Sequence, residues 1–211
     1  MPYPHKLADV PEGLTLYVPD PEQVKPTYEK LLANDTSTAF PFWAKIWPAA
    51  RAMASFLKSN PEWVLNKHVL ELGAGIGLPS FFAASLASGI LISDYVPGAI
   101  ALAQKNIEYL GLMHVQAKQI DWNHFPDHIS GDTILLSDIN YAQEQFASLL
   151  ALIRKFLDQG ATIILSTPQR ITAGPFVAAL EPYIKRSVLE IVAEQDCLVE
   201  IRIIVLARNL I

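Results

Sequence analysis

Three glycines at alternate positions, Gly73, Gly75 and Gly77, follow a short apolar run (Val69, Leu70, Leu72), and Leu78-Pro79-Ser80 then opens a helical pattern. Strand, tight turn and helix in immediate succession make half of a nucleotide-binding βαβ unit. Glycine suits such a turn because it takes backbone angles other residues avoid, and because a Cβ would hold a ligand off the loop N–H groups. Pro79 fits the first helical turn, where its missing N–H costs nothing. Nineteen residues beyond Gly75, Asp94 closes a second apolar run, Ile90 to Ser93. A carboxylate at that sheet edge accepts both hydroxyls of a ribose and rejects a 2′-phosphate. The chemistry implied is the holding of an adenosine-containing cofactor, with a dinucleotide and S-adenosylmethionine as competitors. The dinucleotide fingerprint G-x-G-x-x-G wants its third glycine at position 78, where Leu78 stands, and no Lys-Ser/Thr ending follows that would clamp a triphosphate.

The elements that must carry these residues read as alternating strands and helices. A helix with Pro97 early presents Ile100, Ala103, Ile107 and Leu110 on one face. His114 to Ile120 is the third strand and ends at Asp121-Trp122, and Asp132 to Ser137 is a fourth, continuously apolar as a buried parallel strand is. It runs into Asp138-Ile139-Asn140-Tyr141 and a helix bearing Phe146, Leu149, Leu150, Ile153 and Leu157, closed by Gly160. ATIILS is the fifth strand, the loop after it contains Arg170, Phe176 to Leu180 begins another helix, and Lys185–Ala193 with Leu198–Ala207 form a final hairpin. Five strands alternating with helices and two joined directly specify an α/β fold: a Rossmann-like, doubly wound, seven-stranded, mostly parallel sheet with a C-terminal antiparallel hairpin strand. In such a sheet the loops after strands one, two and four share one edge, gathering Glu71, the glycines, Asp94, Ser137, Asp138 and Tyr141 around one crevice. The plainer reading of Asp138 and Tyr141 is a helix cap and a packed aromatic; their place at the end of strand four favours function.

Ahead of this core, Leu14, Leu16 and Val18 alternate as in a short edge strand or extended arm, and Asp20 caps a helix over 21–33 that starts at Pro21 and must tolerate Pro26. Residues 34–41 are a loop, Trp47 stands just before a helix that begins at Pro48, and 60–67 is a connection. One domain is expected over residues 1–211, with 1–40 as an extension of a 41–211 core. The net charge of −5 and the lack of Lys/Arg runs argue against a grip on nucleic-acid phosphates, and no apolar run reaches membrane-spanning length. The sole cysteine, Cys197, excludes an internal disulfide, and with no signal-peptide pattern the chain reads as soluble and cytoplasmic. His124 and His128 lie four apart beside Asp121 and Asp127, but Pro126 between them breaks the shared helical face a metal pair would need, so no metal is expected.

The runs FWAKIWPAARAMASFL, VLELGAGIGLPS, SDYVPGAI, KNI, QIDW and LLSDINY resemble the seven-β-strand (class I) S-adenosylmethionine-dependent methyltransferases. They are similar in particular to the protein-lysine methyltransferase branch with an Asp-x-x-Tyr motif after strand four. The match covers roughly residues 40 to 180 in the family's order. It implies S-adenosyl-L-methionine as cofactor, held by Trp47, Glu71, Gly73, Ala74, Gly75, Asp94, Tyr95, Asp121, Trp122 and Ser137, with Asp138 and Tyr141 as the catalytic pair and Trp122 stacked by the adenine. The activity implied is N-methylation, first of a lysine side chain in a protein substrate. Asn140 departs from the branch, where a small apolar residue is usual, and suggests a more polar acceptor pocket. That makes a small amine or nicotinamide-like acceptor the runner-up, ahead of a non-catalytic cofactor-binding interaction domain. An NAD-dependent oxidoreductase fits least.

Overall fold

The computed structural model describes residues 2–10, 13–169 and 174–208; Arg170 lies outside them. Seven strands form one sheet: β3 (His68–Leu72), β4 (Gly89–Asp94), β5 (Val115–Gln119), β6 (Thr133–Ser137), β7 (Thr162–Pro168), β8 (Ile184–Glu194) and β9 (Cys197–Leu206). Their order is β5-β4-β3-β6-β7-β9-β8, parallel throughout except where β9 runs antiparallel to both neighbours. The order reverses between β3 and β6. The crossovers leave these two strands in opposite directions, so a crevice opens outside their carboxyl ends.

Helices cover both faces. α2 (Pro48–Ser59), α3 (Leu78–Ala83) and α4 (Pro97–Leu110) pack on one side, where Met53, Phe56, Leu57, Phe81 and Leu102 meet Val69, Ile92 and Ile203. α5 (Phe146–Asp158) and α6 (Gly174–Ala178) pack on the other, where Leu149, Ile153, Phe156 and Phe176 meet Leu70, Ile134 and Leu165. The period-two alternation of the strands divides the two cores: Val69 faces one and Leu70 the other. α2 begins at Pro48 as its first residue, and α4 stops at Gly111, whose φ of 65° no bulky residue takes without strain.

Two expectations change. The alternating Leu14-Leu16-Val18 segment is β2 (Leu14–Pro19), and it pairs with a strand the pattern of HKLADV did not disclose, β1 (His5–Val10), as a separate two-stranded sheet. This hairpin is pinned to α4 by buried Asn106, whose side chain donates to the Tyr17 carbonyl at 3.0 Å and accepts from the Tyr17 N–H at 2.7 Å, as a neighbouring strand would. Between β5 and β6 there is no α-helix, only a 3-10 turn over Trp122–His124, because Pro126 interrupts any longer helix. The helix expected over 21–33 is α1 (Pro21–Asn34), capped by Asp20; none of its residues is buried. Among the described residues no helix is long and apolar enough to cross a membrane.

Candidate active site

The glycine loop leaves β3 with Gly73, Gly75 and Gly77 at φ of 61°, 55° and 80°. Three left-handed residues in five turn the chain sharply enough for α3 to start at once. Protein atoms crowd the space that a Cβ would need at two of them. A Cβ on Gly75 would come 3.3 Å from the Trp43 carbonyl oxygen, and one on Gly73 would lie 3.0 Å from the Trp122 ring. These glycines are required by the turn and by close packing of two tryptophan segments against it. The loop is tied to β4: Ala74 donates to the Ser93 carbonyl at 3.0 Å and Gly75 N–H donates to Asp94 Oδ2 at 2.9 Å.

Asp94 is 5% exposed, and its second oxygen accepts from Val96 N–H at 2.9 Å. The carboxylate thus ties the glycine loop to the start of α4 at the edge of the cavity. Burial raises its pKa, while the N–H groups of Val96 and Gly75 oppose that rise. Asp138 follows β6 with φ of 55°, a left-handed conformation that aspartate tolerates better than most residues. Its N–H donates to the Ser166 carbonyl at 2.9 Å, which fixes the turn to β7. Asp94, Asp138, Tyr95, Ser137, Tyr141, Trp47, Trp122 and the loop from Gly73 to Gly77 line one cavity of about 250 Å³. The mouth is aromatic: Phe42 and Tyr141 are 52% and 48% exposed, with ring centroids 5.9 Å apart, and Phe42 lies 6.3 Å from Trp47. Burial, together with the charges of Asp94, Asp138 and Glu144 and the Tyr95 phenol, raises the Tyr141 pKa and holds it as a neutral phenol.

Ten of the twelve residues predicted for the site therefore border this cavity, and two do not. Glu71, 1% exposed, points under the loop on the α3 side, where its Oε2 accepts from Ser80 N–H at 3.1 Å. Strand alternation puts Glu71 with Val69 on the face covered by α2, α3 and α4, whereas Leu70 and Leu72 face the other core. Burial pushes its pKa up to about 8. Asp121 folds back on its own 3-10 turn, accepting from Asn123 N–H at 2.9 Å and meeting His124 Nδ1 at 3.2 Å. The neighbouring Trp122 instead enters the cavity, its indole N–H donating to Gln145 at 3.1 Å. Asn140, expected to make the acceptor pocket polar, is fully buried away from the cavity and accepts from Thr167 Oγ1 at 2.8 Å.

Sequence reasoning missed Phe40, Phe42, Trp43 and Lys45, which also line the cavity. The aromatic density of FPFWAKIW was the available signal, but it lacks the periodicity that places a residue on a face. Trp43 supports two parts of the site, with its backbone against Gly75 and its ring against Gly98 at the start of α4. Among the described residues no group of His, Cys, Asp and Glu is arranged to hold a metal.

Residues 28–181 match the sequence profile of the lysine methyltransferase family. The chain belongs to that family. Among curated lysine methyltransferases it is 32% identical over 168 residues to the protein N-lysine methyltransferase METTL21A of Danio rerio, a match covering 70% of this chain and 77% of that protein. It is 27% identical to the protein N-terminal and lysine N-methyltransferase EFM7 of Cryptococcus neoformans, over 77% of this chain and 58% of the relative. It is 29% identical to the human histone-arginine methyltransferase METTL23, over 51% of this chain and 60% of that protein. The chain thus spans less than two thirds of the length of the latter two relatives. The fold is that of the N-methyltransferase NodS from Bradyrhizobium japonicum, whose structure holds S-adenosyl-L-homocysteine: the TM-score is 0.62 at 16% identity, over 86% of this chain and 98% of NodS. S-adenosyl-L-methionine is accordingly the cofactor of this lysine methyltransferase fold. The cavity fits it: a left-handed glycine loop, the Asp94 carboxylate at the end of β4, and a flat indole bound one hollow.

Proposed function

We propose that the chain methylates the ε-amine of a lysine in a protein substrate, using S-adenosyl-L-methionine in the cytoplasm. The observation that carries this reading is the position of Asp138: a carboxylate on left-handed backbone, across the same cavity from Asp94 and the glycine loop and inside an aromatic mouth. When bound, the cofactor supplies an electrophilic methyl group on a sulfonium. Asp94 would hold its ribose, the N–H groups and hollow of Gly73–Gly77 its amino-acid end, and Trp122 its base.

A lysine ammonium has an ordinary pKa of about 10.4, so losing its proton near pH 7 costs roughly 4–5 kcal/mol. A carboxylate, whose ordinary pKa is about 3.9, is too weak a base to supply that. Asp138 instead orients the nitrogen through a charge-assisted hydrogen bond, and the rings of Trp47 and Tyr141 shed water from the amine, which favours its neutral form. The protein contributes placement: a lone pair held in line with the methyl carbon at near-attack distance.

The burial of Asn140 removes the reason for favouring a small polar acceptor, and the mild net charge of −5 suits a cationic peptide better than a nucleic acid. Incubation of the protein with methyl-labelled cofactor and a cell extract tests the reading. Label recovered as methyllysine from a protein band is the expected result; label confined to small molecules or to methylarginine would overturn it.

A further inference from the structure

The mouth of the cavity holds more exposed aromatic surface than a fold requires. Phe42 and Tyr141 are about half exposed, and the three rings of Trp47, Phe42 and Tyr141 stand at 38° and 35° to one another across Phe42. Centroid separations of 6.3 and 5.9 Å set the three rings side by side at one mouth. The Trp47 ring is held in place, since its indole N–H donates to the Phe42 backbone carbonyl at 2.8 Å. Phe40 braces Phe42 edge-on at 5.0 Å.

The charges beside these rings are two carboxylates and one lysine that is already paired with Glu194. Asp94 and Asp138 are the carboxylates of the cavity, and its one lysine, Lys45, has its ammonium 2.5 Å from Glu194. That same ammonium sits 4.7 Å from the centroid of the Trp47 ring, so the indole already accepts an alkylammonium on its π face in this fold.

We propose that Phe42, Trp47 and Tyr141 form an aromatic cage for methylated ammonium, so that the site holds a methylated lysine more tightly than an unmodified one and carries its acceptor past the first methyl group. The inference rests on the lysine reading above. A carboxylate alone favours an ammonium rich in N–H donors. Aromatic faces favour the opposite, because each methyl group spreads the charge, weakens hydration and adds dispersion contact with the rings. Every round is the same substitution: the nitrogen lone pair bonds to the methyl carbon of S-adenosylmethionine, the C–S bond breaks with its electron pair passing to sulfur, and S-adenosylhomocysteine leaves. The methylated ammonium then gives up a proton to solvent before the next round. The series ends at the quaternary ion, which has no proton to lose.

The test is calorimetric titration of the protein, saturated with S-adenosylhomocysteine, with three probes. These are Nα-acetyl-trimethyllysine amide, Nα-acetyl-lysine amide and the neutral analogue with a tert-butyl group in place of trimethylammonium. The trimethyl cation should bind at least about fivefold more tightly than either other probe, and Phe42→Leu should remove most of that preference. Phe42 is exposed, so this variant should melt with the wild type; Trp47→Phe, which keeps a ring, should retain part of the preference. Equal binding of the cation and its neutral analogue, unmodified lysine binding as tightly as the trimethyl form, no measurable binding of any probe, or a preference untouched by Phe42→Leu would each overturn the cage. Because the titration involves no turnover, a cage that binds in a protein that labels no lysine would sink the transferase reading alone.

Discussion

At the scale of single residues, the site turns on backbone angles as much as on side-chain types. Asp138 is one of three non-glycine residues with positive φ among the described residues, and it alone of the three lines the cavity. Strain held at a cavity wall is maintained by surrounding structure, here the N–H bond to Ser166 and the Asn140–Thr167 pair two residues on. Asp138→Asn keeps the left-handed preference and the shape but not the charge. Turnover should fall by about 100-fold or more while calorimetry finds cofactor affinity within a few-fold of wild type; full turnover would remove the carboxylate from the mechanism. At Gly75 a side chain meets both a φ of 55° and the Trp43 carbonyl at 3.3 Å. Gly75→Val should therefore abolish binding of S-adenosylmethionine, and unchanged calorimetric affinity would contradict the loop's assignment. These glycines were legible from spacing alone. Which atoms press on them was not, because Trp43 comes from a segment more than thirty residues earlier whose path no local pattern sets.

At the scale of elements, the strands of the central sheet are the part most visible in sequence, since a parallel strand buried on both faces must be a continuous apolar run. Peripheral elements are the part least visible. β1 carries His, Lys and Asp with little alternation and is held by pairing to β2, and β2 by Asn106, neither of which a local window contains. Removing that amide leaves the Tyr17 N–H and carbonyl without partners in a part-buried place. Asn106→Ala should cost about 2–4 kcal/mol in urea denaturation and speed amide exchange across Leu14–Pro19. Normal protection of that strand would mean that packing of Leu16 and Val18, not the amide, docks the hairpin. The hairpin bears on the site through Tyr3, whose ring meets Trp43 edge-on at 5.7 Å.

At the scale of the whole molecule, the two buried acids beside the glycine loop give stability a pH dependence opposite to that of ordinary surface carboxylates. Glu71 has its pKa raised by burial from 4.5 to about 8. Its contribution is thus fully present below about pH 4.5 and is lost as pH rises towards 8, because the unfolded chain ionises first; Asp94, also raised, acts in the same direction. Glu71→Gln, which can still accept from Ser80 N–H, should stabilise the cofactor-free protein by a few kcal/mol at about pH 8.5, and the gain should vanish near pH 4.5. Urea midpoints measured across that range check it; a constant offset would show that ionisation of Glu71 is not the source. The sequence by itself determined the seven strands of the central sheet, the doubly wound architecture, the family and its cofactor, because each is written in local periodicity and in motifs a dozen residues long. Only the tertiary structure decided that Glu71 and Asp121 turn away from the cavity, that Asn140 is buried behind it, and that Phe42 joins Trp47 and Tyr141 at its mouth. Those outcomes depend on which side chains from distant segments compete for the same space, and that competition exists only once the sheet has brought the segments together.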